Sequence, residues 1–320
     1  MQLYKEALAR GWQLTTKHSF LWLFGLFALF ISGNGGEFDI YFRNIKSLTN
    51  SLSIFNPEFW RNNEWLILIK KMYALGHTNL WLTVILGIIF LIAASVVIYF
   101  TIISQIALMD AANKYPENKI TFHQSFQDSR GYFWPVLFIN ICSRLVIGVF
   151  LLLIAIPFLK IFTSQQYFAF ESLYYLLALL ILIPVVLVVS FMNKFAINYL
   201  VIQKEKLINS LKKSFTLFIN NWLVCLEMAL IFFILSLLLG LFVILAIAVL
   251  ITPFITFSLM SSITNFYTIM MIAVLLAVIS VILAASIFST WQYSSWTYLF
   301  IELTKGNREG KLLRILQNKD

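Results

Sequence analysis

Histidine, cysteine and charge are all scarce in this sequence of 320 residues, and each scarcity removes a class of chemistry. The three histidines, His18, His77 and His123, are scattered and lack the spacing of metal ligands. The two cysteines, Cys142 and Cys225, sit inside apolar runs and form no CxxC motif, so neither a disulfide framework nor a redox or metal site is expected. No GxSxG elbow occurs, and the "GNGG" of Gly33–Gly36 is not followed by the Lys-Ser/Thr of a phosphate loop. No acidic cluster offers a two-metal site. The expectation is a protein with no catalytic residues, no cofactor and no metal.

Charged residues make up 12% of the chain against about 25% in soluble domains, and hydrophobic residues make up 61%. The mean hydropathy is +0.88. So little polar surface cannot cover a soluble globule, which predicts a polytopic membrane protein. The net charge of +9 would suggest nucleic acid in a soluble protein. No Lys/Arg patch with interleaved aromatics is present, so no nucleic-acid partner is expected. In a membrane protein such an excess of basic residues sets orientation instead.

Six apolar spans are predicted, at Phe20–Ser32, Leu80–Met109, Trp134–Phe158, Leu173–Phe191, Trp222–Leu250 and Tyr267–Phe288. The first is short for a crossing of about 20 residues. It is either half-inserted or borrows Trp12 to Lys17 as its first turns. Its "FLWLFGLFALF" resembles the apolar core of a signal peptide, but Glu6 lies in the preceding stretch and no A-x-A site follows, so it is expected to remain. Sixteen Lys/Arg fall in the N-terminus, the Asp110–Phe133 and Met192–Asn221 segments and the tail, against six in the opposite loops. Both termini are therefore expected in the cytoplasm.

The chain repeats itself. "ALARGWQLTTKHSFLW" (Ala7–Trp22) resembles "SLKKSFTLFINNWLV" (Ser210–Val224), with Leu8, Arg10, Gly11 and Trp12 matching Leu211, Lys213, Ser214 and Phe215. "SFQDSRGYFW" (Ser125–Trp134) is a weaker third copy. Each copy reads as a basic amphipathic segment on the membrane surface ahead of an odd-numbered span. The predicted fold is an all-α integral membrane domain over 1–320. Its six transmembrane helices form three hairpin units, each preceded by an interfacial helix, the first at 1–18. An extracytoplasmic loop occupies 33–79, with a helix start at Asn56-Pro57-Glu58. It reads as a cap over the bundle or as a gating lid. A cytoplasmic aromatic and basic tail occupies 289–320, where Trp291, Tyr293, Trp296 and Tyr298 read as boundary anchors.

Inside the spans, Arg144 and Glu227 are the candidate intramembrane charges. Asn140 lies one turn before Arg144, so Asn140, Arg144 and Glu227 are expected to form an intramembrane polar pair or line a polar cavity. Either the arginine fastens helices together, or the cavity takes a headgroup or solute. Ala273, Ala277, Ser280 and Ala284 form one stripe of small residues, which packs centrally or serves as a homo-oligomer seam. Pro157, Pro184 and Pro253 mark candidate kinks.

The basic segment followed by a Trp-led span ("LARGWQLTTKHSFLW", "LKKSFTLFINNWLV") resembles a loose group of bacterial membrane proteins, similar to the membrane domain that precedes some glycerophosphodiester phosphodiesterases. The hydrolase domain of those enzymes, with its His and acidic metal ligands, has no counterpart here, so the resemblance implies no reaction. Two functions are expected of such a chain in a cell membrane. One is non-enzymatic binding or organisation of membrane lipids, anionic headgroups above all, or of a membrane protein partner. The other is a permease or the membrane subunit of a transporter, with a separate ATPase contacting Leu207–Phe218.

Overall fold

The computed structural model describes residues 2–31, 80–115, 120–164, 169–259 and 263–305. The expected outer loop at 33–79, with its Asn56-Pro57-Glu58 helix start, lies outside the described residues, as does the tail beyond Lys305. Among the described residues there are eight helices, α1 (Gln2–Lys17), α2 (Leu21–Ile31), α3 (Leu80–Lys114), α4 (Phe122–Arg130), α5 (Phe133–Ser164), α6 (Ala169–Ile202), α7 (Leu207–Leu259) and α8 (Ile263–Thr304). Five hold segments long and apolar enough to cross a bilayer, Val84–Lys114, Phe133–Leu153, Leu180–Ile202, Leu207–Phe257 and Thr268–Thr304. This is a multi-pass helical membrane protein.

The first expected span differs from the rest. Helix α2 has 11 described residues, about half of what a crossing needs. Nor does it borrow from Trp12–Lys17, which belong to α1. The two helices are separated at His18–Phe20, where Leu21, Trp22 and Leu23 donate back to the carbonyls of His18, Ser19 and Phe20 in a tight first turn. The Trp22 indole then donates to the Thr15 carbonyl at 2.9 Å and fixes the bend.

Two compact units divide the chain. One comprises Met1–Ser32, Thr101–Leu137 and Phe191–Asp320, the other Gly33–Phe100 and Phe138–Ser190. In the second unit α3 exposes Ile85, Ile88, Phe90 and Leu91, and α5 exposes Leu145, Val149 and Leu152. Such apolar surface is untenable in water and ordinary in lipid.

The first unit is organised around the C-terminal half of α8. Every residue from Phe288 to Phe300 except Trp291 is buried. A helix covered on all sides has little water for its polar side chains, and some of these bond back to its own backbone, while Ser289 Oγ, Ser295 Oγ, Trp296 Nε1 and Tyr298 Oη are buried with no hydrogen-bond partner among the described residues. Ser294 donates to the Thr290 carbonyl at 2.8 Å and Thr297 to that of Tyr293 at 3.0 Å. Its aromatic side meets α6, with Phe191 and Phe195 against Trp296 and Tyr199 against Phe300. Its small-residue side lets the N-terminal helices approach closely. A Cβ on Gly11 would come within 2.2 Å of Ser295 Oγ, and one on Gly25 within 2.1 Å of Thr290 Oγ1 and 2.3 Å of the Ser286 carbonyl oxygen. Thr290 Oγ1 donates to the Leu21 carbonyl at 3.2 Å, Ser286 Oγ to that of Trp22, and the Trp291 indole to that of Leu8 at 3.0 Å.

The stretch expected to leave the membrane as an aromatic tail from residue 289 therefore continues α8 as helix to Thr304. Trp296 and Tyr298 are buried in helix packing. Ala273 and Ala277 of the small stripe are buried within the chain itself, and Ser280 and Ala284 are half-buried. Helix α7 is interrupted at Asn221 (φ −130°, ψ 25°) and not at Pro253, which lies inside the helix. The Asn221 side-chain amide donates to the Leu217 carbonyl at 3.1 Å, giving that acceptor a partner where the helical path breaks.

Candidate functional site

Three times the chain runs from an amphipathic helix through a short break into an apolar one: α1 to α2 at His18–Phe20, α4 to α5 at Gly131–Tyr132, and Leu207–Asn220 to the rest of α7 at Asn221. In each amphipathic helix two small residues one turn apart are buried: Ala7 and Gly11, Ser125 and Ser129, Ser210 and Ser214. Small side chains on that face bring each helix close to its neighbours. The opposite face is basic and apolar together. Arg10 and Trp12 are exposed in α1, and Lys213 and Phe215 in α7. The two sets of matched residues thus agree in burial one by one, with Leu8 and Leu211 half-buried and Gly11 and Ser214 buried. In α4, Arg130 is exposed and its guanidinium lies 4.9 Å from the Phe126 ring centroid.

Carboxylates neutralise part of this basic surface. Arg10 lies 3.8 Å from Glu302, and Lys213 pairs with Glu205. The hydrogen bond from Lys213 holds the Glu205 carboxyl below its ordinary range. Lys114 bridges Asp110 at 2.5 Å and Asp128 at 2.7 Å, joining α3 to α4.

The polar residues expected inside the spans fall in both compact units. Asn140, buried, and Arg144, exposed, lie one turn apart on α5 in the second unit. Gly148, a further turn on, faces open space, and nothing lies within 4 Å of a Cβ built there. Glu227 belongs to the first unit, where the Tyr4 hydroxyl of α1 donates to its carboxylate. Tyr4 was not legible as a site residue, because nothing in a single sequence links positions so far apart.

Lys194 lies on helix α6, beyond the expected end of the fourth span. It reads as a loop residue if the fourth span ends at Phe191, but helix α6 runs on to Ile202. Its ammonium lies 4.3 Å from the Trp296 ring centroid and 5.7 Å from that of Phe191. Cation–π contact of this kind stabilises a desolvated cation by about 2 kcal/mol. The signal available in sequence was the aromatic flanking in "FMNKF" (Phe191–Phe195) with no helix breaker before Gln203.

Among the described residues no three His, Cys, Asp or Glu side chains gather where a metal ion could be held. No family model, no curated protein and no solved structure matches this chain. The class rests on the helices themselves.

Proposed function

We propose that this protein is non-enzymatic and that it binds and organises anionic lipid at the cytoplasmic face of a bacterial cell membrane. In this reading six crossing segments form three hairpin units, each led by an interfacial helix, with both termini inside. The observation that carries it is the shared pattern of the amphipathic helices: a buried small pair, with Arg10 and Trp12 or Lys213 and Phe215 turned outward. Exposed aromatics beside exposed cations suit the headgroup boundary. Each Lys or Arg near an anionic leaflet contributes about 1 kcal/mol. Arg144, with Asn140 beside it on α5, is a fastener in this proposal. In this proposal the same helix-and-span units account for the resemblance to the membrane domain that precedes some glycerophosphodiester phosphodiesterases.

One observation favours a second reading. Helix Leu207–Asn220 is set off by a turn on one side and the Asn221 break on the other, the form of a helix that couples a transporter subunit to an ATPase. Mass spectrometry of lipid and protein co-purified from native membranes in mild detergent separates the two. Enriched anionic lipid without a stoichiometric partner is the expected result. An ATPase recovered in equal amount, with lipid at bulk composition, would overturn the lipid reading.

A further inference from the structure

The turn between α6 and α7, Gln203-Lys204-Glu205-Lys206, has an unusual backbone. Lys204 adopts φ 54°, the left-handed region, and it is the one described non-glycine residue to do so. The turn closes α6 tightly, since the amides of Gln203 and Glu205 both donate to the Tyr199 carbonyl, at 3.2 and 3.3 Å. At such a helix end glycine or asparagine is the favoured residue, because a Cβ strains the left-handed conformation. A lysine here is the worse choice for folding.

What that lysine supplies is charge. Lys204, Lys206 and Lys212 are all exposed, and none of the three forms an ion pair among the described residues. The one carboxylate in the turn, Glu205, is taken by Lys213. Among the described residues these three positive charges therefore stand without a carboxylate partner.

The helix that follows says what covers them. Ile208, Lys212, Phe215 and Ile219 recur at spacings of four, three and four, one stripe along a helix. Ile208 is 66% exposed, Phe215 46% and Ile219 50%, opposite the buried Ser210 and Ser214. Beyond Asn221 the same helix goes on exposing Leu226, Leu230 and Ile234 within an apolar span. A stripe of isoleucine and phenylalanine holding a lysine, continuous with a lipid-facing span, fits the headgroup boundary rather than a soluble polyanion.

We infer that the α6–α7 turn, with Lys204, Lys206 and Lys212, is a site for the phosphate of anionic phospholipid headgroups. The inference rests on the lipid reading above and narrows it to one corner. Native mass spectrometry of the detergent-purified chain tests it, by titration with phosphatidylglycerol and, in parallel, phosphatidylcholine. Lys204→Gly is expected to fold at least as stably as the parent, since it relieves the left-handed strain. It should bind phosphatidylglycerol about fivefold more weakly. Adding Lys206→Gln and Lys212→Gln should bring the loss to about a hundredfold. Glu205→Gln should tighten binding by releasing Lys213. Variants that keep the parent's preference for phosphatidylglycerol would overturn the site while leaving the lipid reading intact. A parent chain with no preference between the two lipids would overturn both.

Discussion

Gly25→Ala is expected to destabilise the protein by about 3 kcal/mol, seen as a fall of several degrees in the thermal midpoint of the detergent-purified chain. The added methyl would meet two obstacles, Thr290 Oγ1 at 2.1 Å and the Ser286 carbonyl oxygen at 2.3 Å. The first is a side chain and can be removed. The second is backbone of α8 at its contact with α2, and it cannot rotate away as a side chain can. Thr290→Ala should therefore fail to rescue Gly25→Ala. Gly11→Ala provides the contrast. Its closest obstacle is Ser295 Oγ at 2.2 Å, and the next atom, the Ser295 amide nitrogen, is at 3.0 Å. Removing the hydroxyl leaves a contact that a few tenths of an ångström relieves, so Ser295→Ala should recover most of the loss. If Gly25→Ala melts with the parent, α2 does not pack on α8 as described.

Tyr4→Phe and Glu227→Gln should each destabilise the chain, and together by less than the sum. The Tyr4 hydroxyl donates to the Glu227 carboxylate, tying the start of α1 to α7. A hydrogen bond to a charged group contributes about 1.5–3 kcal/mol, and the apolar surroundings on α7 favour the upper part of that range. The double-mutant cycle should return a coupling of about that size, measured by thermal or denaturant unfolding in detergent. Strict additivity would mean that the bond does not form.

Where the apolar spans lie was largely legible, because long uncharged runs have few other uses. Their ends were not. Helix α6 continues past Phe191 through Lys194 to Ile202, and α8 past Phe288 to Thr304. In both, polar side chains bond back to their own helix, as Asn198 does to the Lys194 carbonyl and Ser294 to that of Thr290. Polarity in the sequence there accompanies helix-to-helix packing, so it does not mark the end of a helix. Trp296 shows the ambiguity most plainly. A tryptophan after an apolar run reads as a boundary anchor, and only the placement of Phe191, Lys194 and Phe195 against it reveals a core residue. Of the candidate site, the basic and aromatic residues of the repeated helices could be read in advance. The left-handed Lys204 and the Tyr4–Glu227 bond could not, since one depends on a backbone angle and the other on a contact between the chain's start and its fifth expected span.

The proposals about the basic helices all require α1, α4 and the first part of α7 to lie on the same, cytoplasmic side. Impermeant maleimide labelling of intact cells tests this directly, with Cys142 and Cys225 replaced by alanine and single cysteines placed at Gln13, Gln127 or Thr216, all exposed on those helices. The prediction is that none of the three labels until the membrane is permeabilised and that all three label afterwards. Labelling of any one from outside would contradict the shared cytoplasmic face and the lipid-organising role built on it.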